Sequence, residues 1–372
     1  MLFDSEARVQ SNSEITNWGM HGAEQAVKLL QEDIKNNKFS RSYLITGPKA
    51  VGKRTLATRF AQEIFSPNGK QNDAYSIYDA IEKGSKRASV NNEPNSNPFG
   101  DVQWVRIGGE CTPLSGKSHK HPEKSIGVCQ IRKMAIDINT KSFNGTHKVF
   151  VVDSVDDLSR GEEQSFSALL KQLEEPPPNT TILLLSANPD NLNLTIRSRC
   201  QLVQIPAMSR DLLADAILKS HLTNDIQSAN RYATITKGCY GRAYTQLTDP
   251  AYEITLNSIL EDIENLARAG SQDRMNYSER LGKAWRNEPE VVLETLNIWK
   301  AWWREALQIA ANVVSIELSI FHHTSDSRLT SQVALQALTA LEEAENNLQE
   351  NVNARLALDV MMIDIPQLSN TH

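Results

Sequence analysis

A chain of 372 residues is too long for one ordinary hydrophobic core, so two or three domains are expected. Hydrophobic residues make up 40% and charged residues 23%, ordinary globular proportions, and the absence of any apolar run near ~20 residues excludes a membrane-spanning helix. A formal net charge of -6 excludes a bulk basic field, so contact with nucleic acid needs a local patch or a partner.

The opening MLFDSEARVQSNSE carries acids and no apolar segment. Residues 1–17 therefore read as a polar tail rather than a signal peptide, and the expected compartment is the cytoplasm. Cys111, Cys129, Cys200 and Cys239 are widely spaced without a CxxC pair, which fits reduced thiols. From Trp18 to about Leu30 apolar residues recur at helical spacing, and SYLIT, residues 42–46, is a short apolar run ending at Gly47. Then comes GPKAVGKRT, Gly47 to Thr55, followed by Leu56, Phe60, Ala61, Ile64 and Phe65 on one helical stripe. Strand, glycine-rich loop and helix are the setting a phosphate-binding loop needs.

Residues 66–101, rich in Asn, Ser, Gly and Pro, read as a surface insertion. VQWVRI predicts a strand, Gly108 to Lys124 a polar loop, CQIRKMAIDINTK a helix and HKVFVVD a buried strand. SFSALLKQLEE predicts a helix that stops at Pro176 to Pro178, and TTILLLSAN and CQLVQI predict two more strands. This alternation argues for an α/β domain over residues 18–206, a parallel sheet with helices on both faces. MSRDLLADAILKSHL and SANRYATITKGCYGRAYTQL predict a small helical unit over 207–250, and residues 251–372 an all-helical domain. There Trp299, Trp302 and Trp303 at i, i+3 and i+4 predict a core stripe rather than a base-stacking platform. Leu341, Leu348, Val352, Leu356, Val360 and Ile363 give the final helical pattern one apolar side.

Three stations bear on chemistry. Gly47 and Gly52 let the loop turn its N–H groups toward phosphate oxygens, and Lys53 adds positive charge. A hydroxyl directly after the lysine normally holds magnesium. Here that residue is Arg54, with Thr55 one place late, so the loop reads either as a site for ATP or ADP or as an empty mould kept for packing. VFVVD places Asp153 at a strand's end, where a hydrolytic engine of the Asp-Glu type follows with a glutamate base. This chain has Ser154, and Asp156 and Asp157 read as acids at a helix start. In LTIRSRCQ, Arg197 and Arg199 flank Ser198, where a rigid guanidinium could reach a phosphate on a neighbouring molecule, although loop arginines taken alone are usually solvated. Apart from these, Cys111, His119, His121 and Cys129 gather four zinc-type ligands without a standard finger spacing. Metal binding, contact with DNA phosphates and a plain solvated hairpin all stay open for that loop.

GPKAVGKRTLATRFAQ, VVDSVDDLS, ALLKQLEEPPPNT, TIRSRC, GCYGRA and NVNARLALDVMM follow one another in that order. Together they resemble the bacterial clamp-loader subunits of the AAA+ class, the gamma, tau and delta-prime family of DNA polymerase III, and its delta-prime branch most. The resemblance covers roughly Trp18 to Pro366 and implies a P-loop AAA+ domain, a helical lid and an all-α collar for oligomerisation. It implies that Arg199 is an arginine finger acting in trans on the ATP of a gamma or tau neighbour, that Arg242 stands over the chain's own phosphate site, and that Ser186 or Asn188 lies near sensor 1. It also implies gamma/tau and delta subunits, the sliding clamp and, through the assembly, primer–template DNA as partners. The family often carries a four-cysteine zinc module after the P-loop helix; residues 66–101 hold no cysteine, so no zinc is expected. Arg54 and Ser154 then favour a non-hydrolysing stator that helps load the clamp over a gamma/tau-like motor, another AAA+ ATPase or a plain interaction scaffold.

Overall fold

The computed structural model describes residues 18–36, 38–65, 101–107, 110–111, 119–120, 126–142, 147–158, 163–315, 319–321, 329–350 and 352–368. The polar tail, the insertion 66–100 and most of the loop after Ile107 lie outside them. The chain divides into two compact units, Met1–Met208 with Cys239–Gly241, and Ser209–Gly238 with Arg242–His372.

The first unit holds the strands β1 (Ser42–Thr46), β2 (Val102–Val105), β3 (Glu110–Cys111), β4 (His119–Lys120), β5 (Lys148–Val152), β6 (Thr180–Ser186) and β7 (Gln201–Gln204). Five of them form one sheet in the order β2-β5-β6-β1-β7, with every pairing parallel. Its helices are α1 (Glu24–Lys35), α2 (Lys53–Phe65), α3 (Val128–Ile138), α4 (Glu163–Glu174) and the single turn α5 (Leu194–Arg197). Successive strand residues serve opposite cores, which is why the runs are apolar without a break. Tyr43, Ile45, Val151 and Leu183 pack with Val27 and Leu30 of α1 and Leu56 and Phe60 of α2. Leu44, Phe150, Val152 and Leu184 pack with Ile131 and Met134 of α3 and Leu169 and Leu173 of α4. The parallel sheet covered on both faces is therefore present as the alternation predicted.

One boundary differs. The helical pattern starts at Trp18 in the sequence, but α1 starts at Glu24, because Trp18 (φ 50), Gly19 (φ 67) and Gly22 (φ 73) adopt left-handed backbone that an α-helix cannot contain. Trp18 is nevertheless buried, so its place in the apolar pattern reflects core packing without helix.

The second unit has no strand among its described residues. It contains α6 (Arg210–Lys219), α7 (Ile226–Ile235), most of α8 (Tyr240–Thr248), α9 (Pro250–Arg268), α10 (Ser271–Asn287), α11 (Pro289–Ala310), α12 (Ser331–Gln349) and α13 (Ala354–Asp364). Trp299, Trp302 and Trp303 on α11 are all buried, the Trp299 Nε1–H donates to the Ile259 carbonyl at 3.2 Å, and Trp302 and Trp303 meet edge to face. The final apolar pattern is split between two helices. Leu341 and Leu348 are buried in α12, whereas Val352, Leu356, Val360 and Ile363 are exposed. The break comes at Asn353, whose Oδ1 accepts the N–H groups of Arg355 and Leu356 and so starts a new helix. No helix among the described residues is long and apolar enough to cross a membrane.

Candidate functional site

Register levels the strand ends that build the site. Thr46 pairs with Ser186 and with Gln204, and Val152 pairs with Leu184, so β1, β5 and β6 release their chains side by side at the carboxyl edge. In parallel α/β sheets that edge is where ligands bind. The cleft there is lined by Gly52, Lys53, Arg54 and Thr55, by Asp153, Ser154 and Asp156, by Ala187 and Asn188, and by Gly241. Lys53, Asp153 and Asn188, separate in sequence, are thus brought to one place.

The loop shape depends on its glycines. Gly47 has φ 151, and a Cβ there would meet the Ile205 carbonyl oxygen at 2.2 Å. The Gly241 N–H donates to the Ala50 carbonyl at 3.0 Å, and a Cβ on Gly241 would stand 2.6 Å from that same oxygen. The glycine of GCYGRA therefore braces the loop directly, a role that the sequence reading did not assign to it. Its neighbour Arg242 belongs to the second unit.

Lys53 Nζ donates to the carbonyls of Gly47 at 2.5 Å and Pro48 at 2.7 Å. Burial lowers the pKa of this ammonium, while the carboxylates of Asp156 and Asp153 act in the opposite direction. Arg54 Nε donates to Asp153 Oδ2 at 2.5 Å, with Asp153 almost wholly buried and 56% of the Arg54 side chain exposed. Thr55 is exposed. Ser154 follows Asp153 in left-handed backbone (φ 62).

Asp156 does not begin an α-helix. It lies in a 3-10 turn, Val155–Leu158, accepts the Ser186 hydroxyl at 2.6 Å and the Ala187 N–H at 2.6 Å, and so ties this turn to the end of β6. The sequence signalled an acid there, but not its partner 30 residues on.

A magnesium of the P-loop kind draws on the hydroxyl after the lysine and the carboxylate at the end of the acidic strand. In this cleft the first is replaced by a cation, and the second already carries that cation. The donor set does not fit the metal. Among the described residues no group of three or more His, Cys, Asp or Glu could hold one. Of the candidate zinc-type cluster, β3 and β4 pair Cys111 with His119 in register, and Cys129 is half-buried in the first turn of α3; His121 lies outside the described residues.

Arg199 is not among the residues lining this cleft. It lies just past α5, is exposed, and donates from Nη2 to Glu174 Oε1 at 2.7 Å and from Nη1 to the Thr195 carbonyl at 3.0 Å. Arg197 pairs with Asp190 instead. Behind Arg199, burial pushes the Cys200 thiol up to about 12. The acid of the LEEPP segment thus holds the arginine of the SRC segment, a pairing across 25 residues that neither segment announces alone.

Residues 22–209 match the family model described as DNA polymerase III, delta subunit. The chain is 30% identical over 180 residues to DNA polymerase III subunit tau of Bacillus subtilis (strain 168), a stretch that is 48% of this chain and 27% of that one. It is 24% identical over 199 residues to DNA polymerase III subunit delta-prime of the same organism, covering 54% of this chain and 52% of that one. A DNA polymerase III, gamma subunit-related protein of Thermotoga maritima aligns over 90% of this chain and 98% of its own at 18% identity and a TM-score of 0.40, too loose a likeness to argue from. The chain spans between about a quarter and about half of the length of the curated relatives it matches.

Proposed function

Because this chain belongs to the DNA polymerase III, delta subunit family of clamp-loader AAA+ proteins, we propose that it is a delta-prime-like ring subunit that does not hydrolyse ATP itself. In this reading it supplies Arg199 to the nucleotide of a gamma/tau neighbour and helps hold the sliding clamp for loading on primed DNA. One observation carries the reading: at the chain's own phosphate loop, Arg54 pairs with Asp153 and Ser154 follows it, so the residue after the lysine brings no hydroxyl and the residue after the acid no carboxylate. Without a base to orient water and a cation to bridge the outer phosphates, a P-loop loses the two groups that make it hydrolytic.

Arg199 supports the second half of the proposal. It is outside the chain's own cleft and exposed, as an arginine serving another molecule's phosphate must be. A finger supplied in trans stabilises charge on the transferring phosphoryl group and is worth about 10³ to 10⁵ in rate. The exposed Leu356, Val360 and Ile363 of α13, with Val352 just before its cap, support a collar role for the helical unit, since exposed apolar residues grouped there gain by burial against another subunit.

The test is ATP turnover by the purified full chain, alone and as Lys53→Ala. Turnover at background level in both is expected. A gamma/tau-like motor is the second reading, favoured by the retained Lys53 and by the match to relatives named tau. Substantial turnover abolished by Lys53→Ala would establish it.

A further inference from the structure

We propose that Arg54 stands in for magnesium at this P-loop, so that the loop takes a nucleoside di- or triphosphate without a divalent cation. The inference rests on reading the loop as a non-hydrolysing phosphate cradle, and goes beyond it by stating what the cradle binds and under what condition.

A P-loop offers its ligand a lysine and a magnesium, and the metal is held between the residue after the lysine and the acid at the strand's end. Here those two positions are Arg54 and Asp153, and they are joined to each other at 2.5 Å. Asp153 is 6% exposed, and a carboxylate so buried needs a cation, a role the guanidinium fills permanently. A magnesium ion entering the cleft would have to displace a covalently tethered positive charge and then find no hydroxyl at position 54.

Geometry points the same way. A guanidinium carries its N–H donors in a planar fork, and that fork matches phosphate oxygens. With its Nε anchored on Asp153 and over half its side chain exposed in the cleft, Arg54 is pre-organised toward a polyphosphate. Lys53 completes a pair of adjacent cations. Its present bonds, to the Gly47 and Pro48 carbonyls, are ones that a phosphate oxygen can replace without any change in the backbone. The loop keeps the features that bind phosphate, the glycine turn and the N-terminus of α2, and has exchanged only the metal.

The experiment is a titration of the full chain with fluorescent ADP and ATP analogues, once with magnesium in excess and once in EDTA. The expected result is binding in both, with affinities within about threefold of each other. Arg54→Thr restores the hydroxyl and frees Asp153; it should bind in magnesium and lose about tenfold or more in EDTA. Should that variant fail to fold, Asp153→Asn serves instead, unanchoring Arg54 and weakening binding equally in the two buffers. Wild-type binding that collapses in EDTA overturns the proposal, and so does the absence of binding in either buffer. The second result leaves the stator reading standing, whereas ATP turnover by the isolated chain removes the stator reading without touching the magnesium comparison.

Discussion

Arg199 and Glu174 form an exposed ion pair on the surface of the first unit, 32% and 49% exposed at their side chains. Such pairs contribute roughly 0–1 kcal/mol, because water and salt screen them. Glu174 can therefore present the guanidinium without locking it, and a phosphate with more negative charge can take it over. Glu174→Gln is expected to change unfolding free energy by less than about 1 kcal/mol in a denaturant titration; a larger loss would mean that the pair holds the fold rather than the arginine. Next to it, Cys200 is raised to about 12, and at neutral pH its thiol carries about 10³-fold less thiolate than an ordinary cysteine. Alkylation at pH 7 should be slower at Cys200 in the folded chain than in an unfolded control, and comparable rates in the two would contradict the raised pKa. At this scale the sequence was informative about single residues and silent about pairs. Lys53 and Asp153 could be picked out from spacing and setting, whereas Arg199 gained its expected role only from the family resemblance. The partnership of Arg54 with Asp153 spans 99 residues, and no local pattern encodes which acid a guanidinium reaches after the sheet has formed.

Among the elements, the strands were legible because burial on both faces writes them as unbroken apolar runs, as in SYLIT and TTILLLS. Helix ends were less so. An apolar position such as Trp18 fits a helical period by packing alone, and a late cap such as Asn353 divides what reads as one pattern. Asn353→Ala should cost about 1 kcal/mol by removing the side-chain acceptor at the start of α13. A more severe effect is expected at Arg274 on α10. Its buried guanidinium donates to the carbonyls of Leu266, Met362, Ile365 and Pro366, and so joins the ends of α9 and α13. Arg274→Met keeps the aliphatic length and leaves those four carbonyls without their donor, at a cost of about 3 kcal/mol or more. Thermal unfolding of the two variants checks both values, and an Arg274→Met melting point no lower than that of Asn353→Ala would contradict the ranking.

For the molecule as a whole, the α/β unit and the helical unit were both visible in the switch from alternating strands and helices to helical period alone. What the sequence left open was whether a loop with a lysine still works as an engine, because that depends on which side chains meet at the sheet edge. There a tethered cation meets the buried acid, a serine follows it, and the exposed arginine lies elsewhere. In the proposed reading the chain serves a neighbour's chemistry. The most direct test is clamp- and DNA-stimulated ATP turnover of a loader reconstituted with gamma/tau-type and delta-type partners, comparing wild type with Arg199→Ala. The account predicts that the variant assembles normally by size-exclusion chromatography and that turnover at the adjoining site falls by about 10³ or more. Normal assembly with unchanged turnover would contradict it.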